Sequence, residues 1–271
     1  MQVLNHTPFP AIAWISTDPK QKQYTTTLVR VKYRLDTMDE EGLWSLKLDP
    51  EQGELFSSDI FYDDENKVVQ FESDFVPFKR EADLIINMDL NRKEYGACGV
   101  KVLRYHGEGE AESLLNYGIV EKFGFVHRAD KSRMQWIGTP DAQWVERKAP
   151  ALPEDFDERH YNAAHEKMQL PFTYFHPGDL IVLSKLLKGQ HKQSIFIPGL
   201  YLTASSTIGQ QKPPVLLEAD TVIIDMESLE LEENALYISY RSRVEEENVQ
   251  SITIEMMLDE ALIEKGDSDG K

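Results

Sequence analysis

The chain has one cysteine, Cys98, in 271 residues. It cannot close an internal disulfide, and there is no second thiol for a structural zinc site. No run of 18 apolar residues occurs, and Met1 to Trp14 lack the basic start and unbroken apolar stretch of a secretion signal. Basic residues are scarce: 29 Lys and Arg stand against 47 Asp and Glu, a formal charge of −18. Such a surface repels a phosphate backbone or an anionic membrane face. These absences argue against a disulfide scaffold and against nucleic-acid or membrane partners, and they lead to the expectation of a cytoplasmic protein. What is present, 41% hydrophobic residues in a chain of this length, suffices to bury a core without metal or disulfide.

The acidity is unevenly placed. Between Glu227 and Lys271 there are 13 acidic residues and 4 basic ones, which accounts for half of the total charge. The end of that stretch, Gly266 to Lys271, carries no apolar side chain and is expected to be a disordered acidic tail. Residues 1–265 are expected to form one β-rich domain.

Period-two alternation dominates the rest. From Tyr24 to Leu35, Thr27, Val29, Val31, Tyr33 and Leu35 alternate with Arg30, Lys32 and Arg34, the pattern of a strand with one wet face. Leu84, Ile86, Met88 and Leu90 alternate with Asp83, Asn87 and Asp89 in the same way, and Cys98 to Tyr105 does so more weakly. Three further runs, Val222 to Met226, Leu236 to Tyr240 and Ile252 to Met256, repeat the pattern near the C-terminus. Leu180 to Leu183 and Ser194 to Ile197 flank a polar, glycine-containing stretch that reads as a hairpin. The good helix formers between His160 and Leu170, stopped by Pro171, predict one short helix. The expected fold is therefore mainly β, an antiparallel sandwich-like body with long ordered loops and one or two short helices, closed by strands from both ends of the chain.

Signatures of catalysis are sparse. Gly107-Glu108-Gly109-Glu110 has the wrong charge to cradle phosphate and reads as a turn between two strands. No Gly-x-Ser-x-Gly elbow occurs. Cys98, flanked by Ala97 and Gly99 in an apolar alternation, reads as a small core residue. The seven histidines include no His-x-x-x-His or Glu-x-x-His pattern, and His160 and His165 are spaced wrongly for one helical face, so no metal or cofactor is assigned. His127, His176 and His191 fall on candidate loops. Asp155, Asp157 and Glu158 have the chemistry of a general acid and base, but acid pairs abound in so acidic a chain, and Asp155 or Asp157 equally suits the cap of a following helix.

More specific is the order of several punctuated loop motifs. They run Asn5-x-Thr7-Pro8-Phe9; Ser73-Asp74-Phe75-Val76-Pro77-Phe78-Lys79; Gly138-Thr139-x-Asp141-x-x-Trp144; and Pro150-x-Leu152-Pro153-x-Asp155-Phe156-Asp157. Tyr161-Asn162-Ala163-Ala164, Gln169, Ile197-Pro198-Gly199, Asp220-Thr221 and Arg241 follow. From Asn5 to about Arg243 this succession resembles DUF2169, a bacterial family of unknown function whose genes lie beside those of type VI secretion spike proteins. The resemblance implies a cytoplasmic adaptor or chaperone that helps load a toxic effector onto the VgrG spike. Two departures are visible: Asn91 to Gly96 replace a glycine-rich stretch, and Pro140 stands where the family has an aromatic residue.

Physically, the motifs consist of acids, prolines and aromatics, which fix irregular backbone to a β scaffold. Loop ordering alone explains each of Asp74, Pro77, Asp141, Trp144, Asp155 and Asp157. The functional reading is that the loops, with Phe78, Lys79, Phe156 and Arg241, together present a docking surface for the effector and the spike, without catalysis. The acidic body would then favour a basic effector domain. The alternative expectation is a metal-assisted hydrolase built from carboxylates and histidines of the central loops, among them His127, His160 and His165.

Overall fold

Apolar alternation at 27–35 and 84–88 becomes strand in the computed structural model of the chain, which describes residues 1–63, 68–88, 98–107, 109–119, 135–139, 152–171, 173–185, 192–226, 233–246 and 248–258. The strands are β1 (Gln2–Asn5), β2 (Ala11–Thr17), β3 (Gln23–Met38), β4 (Trp44–Leu48), β5 (Ile60–Asp63), β6 (Val68–Phe71), β7 (Ala82–Met88), β8 (Cys98–His106) and β9 (Glu110–Ile119). They continue with β10 (Gln169–Leu170), β11 (Leu180–Ser184), β12 (Lys192–Phe196), β13 (Leu200–Ile208), β14 (Gln210–Gln211), β15 (Val215–Leu216), β16 (Glu218–Met226), β17 (Ala235–Val244) and β18 (Ser251–Leu258).

The largest sheet has seven strands in the order β10-β7-β16-β17-β3-β2, with β4 also paired to β3. A second sheet runs β1-β18-β13-β14 with β15 on β13, a third runs β12-β11-β8-β9, and β5 pairs with β6. Most pairings are antiparallel, as expected; β1 with β18 and β7 with β16 are parallel. The first of these joins the two ends of the described chain, Gln2 to Asn5 lying beside Ser251 to Ile254. One buried apolar cluster unites the three large sheets, with Val31, Leu84, Ile224 and Ile238 from the seven-stranded sheet, Ile181 and Val102 from the four-stranded one, and Leu202 and Ile254 from the other. The hairpin expected at 180–197 is the pair β11–β12. Gly107 and Gly109 make the turn between β8 and β9 at φ of 53° and 94°, a region glycine enters without penalty.

Two expectations are corrected. The wet face foreseen on β3 is wet only in part: Arg34 is exposed and Lys32 half-buried, but Arg30 is 3% exposed. The helix foreseen from His160 to Leu170 is instead two 3-10 turns, Glu158–Tyr161 and Glu166–Met168, with Gln169 and Leu170 in strand beside β7. Its propensity is overridden because the side chain of Asn162 and the N–H of Ala163 both bind Asp83 on β7, which pulls the backbone out of helical register.

Candidate functional site

Sheet register assembles a buried polar row that no single strand reveals. Gln169 on β10 lies opposite Asp83 on β7, Asp83 opposite Thr221 on β16, Thr221 opposite Ser239 on β17, and Ser239 opposite Arg30 on β3. All five side chains are buried, and Asp83 is fully so. Charges removed from water this far are tolerated only when paired and hydrogen-bonded. Their partners arrive on the loop that follows β6, Glu72 to Lys79.

Lys79 is the hub. Its ammonium donates to Glu72 Oε1, to Asp83 Oδ2 at 2.7 Å and to Thr221 Oγ1 at 2.7 Å, so all three donors are used. Asp83 also accepts from Asn162 Nδ2 at 2.9 Å and from the N–H of Ala163 at 2.8 Å. On one flank, Arg30 donates to Asp74 Oδ2 at 2.6 Å, an oxygen that also accepts from the N–H of Phe56, while the guanidinium sits 3.9 Å from the centre of the Phe56 ring. On the other, a bulge between Ala219 and Thr221 sets Asp220 against Arg241, whose Nη1 donates to Asp220 Oδ2. The whole comprises four carboxylates and three cations in one buried layer.

Burial dominates the titration of this layer. It pushes the Glu72 carboxyl up to about 7, against the pull of Lys79 and with the help of Asp83. It also raises Asp74 in spite of Arg30, and lowers Arg30. Lys79 resists: burial acts to lower it, but Asp83 and Glu72 together hold it above the usual range. A nucleophilic lysine has to shed its proton, and this one is held charged, with no donor to spare.

Above this floor opens a cleft of about 230 Å³, walled by Phe78, Tyr174, Val215 and Leu216 and floored by Arg241 and Arg243. Tyr174 is fixed by its hydroxyl donating to the Lys79 carbonyl at 3.0 Å. Val215 and Leu216 are 41% and 40% exposed, large apolar side chains left at the surface.

The motif residues foreseen from sequence divide into two groups. Asp74, Lys79 and Arg241 meet in the ionic floor and Phe78 in the cleft wall, while the Pro77 carbonyl accepts from Thr26 Oγ1 at 3.1 Å. The second group is a loop brace. Asp155 accepts from the N–H of Thr139 at 2.9 Å and from its hydroxyl at 2.6 Å, bonds that hold its carboxyl below the usual range. Gly138 must be glycine for this: its φ is +84°, and a Cβ there would stand 2.7 Å from Asp155 Oδ1. Phe156 is buried against Tyr161, ring centres 5.0 Å apart. Asp157 caps the turn Glu158–Tyr161 and pairs with Arg159, which lowers its carboxyl and lays the guanidinium 3.6 Å over Trp136. The brace reaches the cleft through Glu158, which accepts from Arg243 at 3.1 Å. Asp141 and Trp144 lie outside the described residues, as do His127 and His191.

The remaining histidines are engaged in packing or exposed. His160 packs edge-on to Phe156, His165 stacks on Tyr117 and caps Lys167, and His176 is exposed. Among the described residues no three His, Cys, Asp or Glu side chains form a group suited to a metal ion. No motif in the sequence marks Glu72, Asp83, Arg30 or Arg243 as a site residue. The available signal was a charge inside each strand alternation, which reads equally well as a wet face.

Fold and site together define a mainly β protein in which proline- and acid-rich loop motifs are locked by a buried ionic layer beneath a small, arginine-floored cleft. Residues 122–241 match the model of DUF2169, a family described as an uncharacterized protein conserved in bacteria. The matched span holds Asp155, Phe156, Asp157, Asp220 and Arg241, whereas Glu72 to Lys79 precede it. No curated protein and no solved structure matches the chain. No helix among the described residues is long and apolar enough to cross a membrane.

Proposed function

We propose that the chain is a DUF2169 member acting as a non-catalytic cytoplasmic adaptor or chaperone, which binds a type VI secretion effector and helps load it onto the VgrG spike. The observation that carries this reading is the use made of the motif charges. Lys79, Asp74 and Arg241 are answered by buried partners within the chain, so their role is to hold loops in place rather than to react. The loops so held frame a cleft with two guanidinium groups, aromatic rings and exposed aliphatic residues, the composition of an energetic anchor in protein recognition. The charge of −18 supports a basic effector domain as the cargo, since opposite charge speeds encounter.

Co-expression with a toxin encoded by a neighbouring gene tests the role. The adaptor reading expects a complex that co-purifies and a toxin that is insoluble or unstable alone, with capture weakened by rising salt and by neutralising Glu245, Glu246 and Glu247. A toxin that folds, loads and is secreted equally well without this chain contradicts the reading; capture indifferent to salt and to those three substitutions contradicts its electrostatic part.

A further inference from the structure

Arg243 is the cation of the cleft that is not tied to a buried carboxylate. Its guanidinium is clamped 3.9 Å from the ring centre of Tyr24 and 5.2 Å from that of Phe78, and its side chain is 13% exposed. One N–H goes to Glu158 at 3.1 Å; the others, the buried Nε among them, have no acceptor among the described residues. Stacking of this kind fixes the plane of the group and so lowers the entropy lost when an anion is bound.

We infer that the cleft receives the C-terminal residue of a partner polypeptide, its carboxylate taken by Arg243 and its apolar side chain by the walls of Phe78, Tyr174, Val215 and Leu216. The inference rests on the adaptor reading only in taking the ligand to be a polypeptide. Three features select a chain end. First, a protein of charge −18 repels anions over most of its surface, so a guanidinium with unused donors marks where one carboxylate is welcome. Glu218 and Asp220 in the same lining disfavour an acidic tract. Second, about 230 Å³ falls below the ~300–1,000 Å³ usual for small-molecule sites and suits one residue. Third, the adjoining depression between Val215, Ser206, Thr25 and Ser242 holds only about 20 Å³, which offers no room for a further side chain.

The probe is a hexapeptide of glycine and serine ending in leucine with a free carboxylate, titrated into the full chain and followed by amide chemical shifts. Shifts are expected at 215–218 and 241–243. Amidating the peptide or replacing Arg243→Gln should each weaken binding about tenfold or more, as loss of a charge-assisted hydrogen bond does. Leu216→Asp, at an exposed position that folding tolerates, should weaken it too. Equal binding of the amidated peptide, shifts elsewhere, or equal binding of an amidated peptide carrying an internal glutamate would each overturn the inference. Peptide binding lost while toxin capture persists sinks this inference alone; the converse sinks the adaptor role alone.

Discussion

The two faces of the seven-stranded sheet bury their residues by opposite means. One face sets Val29, Val31, Leu84, Ile86, Val222, Ile224, Leu236 and Ile238 into the common apolar cluster. The other buries Arg30, Asp83, Thr221 and Ser239 just as deeply beneath the Glu72–Lys79 loop and the Glu158–Ala164 segment. The apolar face is non-directional and tolerates repacking at constant volume, whereas each bond on the ionic face fixes a particular loop atom to a particular strand position. The ionic face thus determines where the loops stand, and the apolar face holds the sheets together.

Breaking each face in turn tests this division. Lys79→Met leaves Glu72 and Asp83 buried without their cation and should cost about 3–5 kcal/mol in urea unfolding, as removal of one partner from a buried pair does. A cost under ~1 kcal/mol would show that water reaches the layer and screens its charges. On the apolar face, Ile238→Ala should cost about 3 kcal/mol through lost burial and a cavity, yet leave toxin capture by the surviving folded protein intact, which a pull-down at low temperature would check. Removing the cap with Asp157→Ala should cost about 1 kcal/mol and free Arg159 from its place over Trp136, visible as a change in tryptophan emission.

The smallest effect at neutral pH belongs to Glu72→Gln, which leaves three carboxylates for three cations. In the folded chain Glu72 holds its proton up to about 7, above the ordinary 4.5, so the folded state binds more protons than the unfolded one between those values. Its contribution to stability is therefore complete below pH 4.5 and is lost as the pH rises through 7. Urea midpoints from pH 4.5 to 8 should show this decline in the parent chain and a shallower one in the variant; identical slopes would assign the proton elsewhere.

How much of this was readable in advance follows the same divide. The strands at 24–35, 98–105, 222–226, 236–240 and 252–256, the 83–90 strand as far as residue 88, beyond which it lies outside the described residues, the 180–197 hairpin and the 107–109 turn were all legible, because period-two alternation and turn glycines are local signals. The loop placement of Asp74, Lys79 and Asp155 was legible too, whereas Arg241, grouped with them by its motif, stands on β17. Whether Arg30 and Asp83 meet water was not, since alternation reports which residues share a face and not what covers that face. Recognising the row from Gln169 to Arg30 requires the register of five strands, contributed by distant parts of the chain. The helix expected at 160–170 failed for a related reason: Asp83, eighty residues away from Ala163, claims the backbone there.

The central claim is that the ionic layer holds a preformed face for another polypeptide. Amide hydrogen exchange, measured on the chain alone and in complex with the partner polypeptide that the adaptor proposal requires, tests this most directly. The account predicts slow exchange at 82–87 and 219–224 in both states, with new protection on binding gathered at 215–218 and 241–243. Fast exchange at 82–87 in the free chain, or protection confined to surfaces away from the cleft, would contradict it.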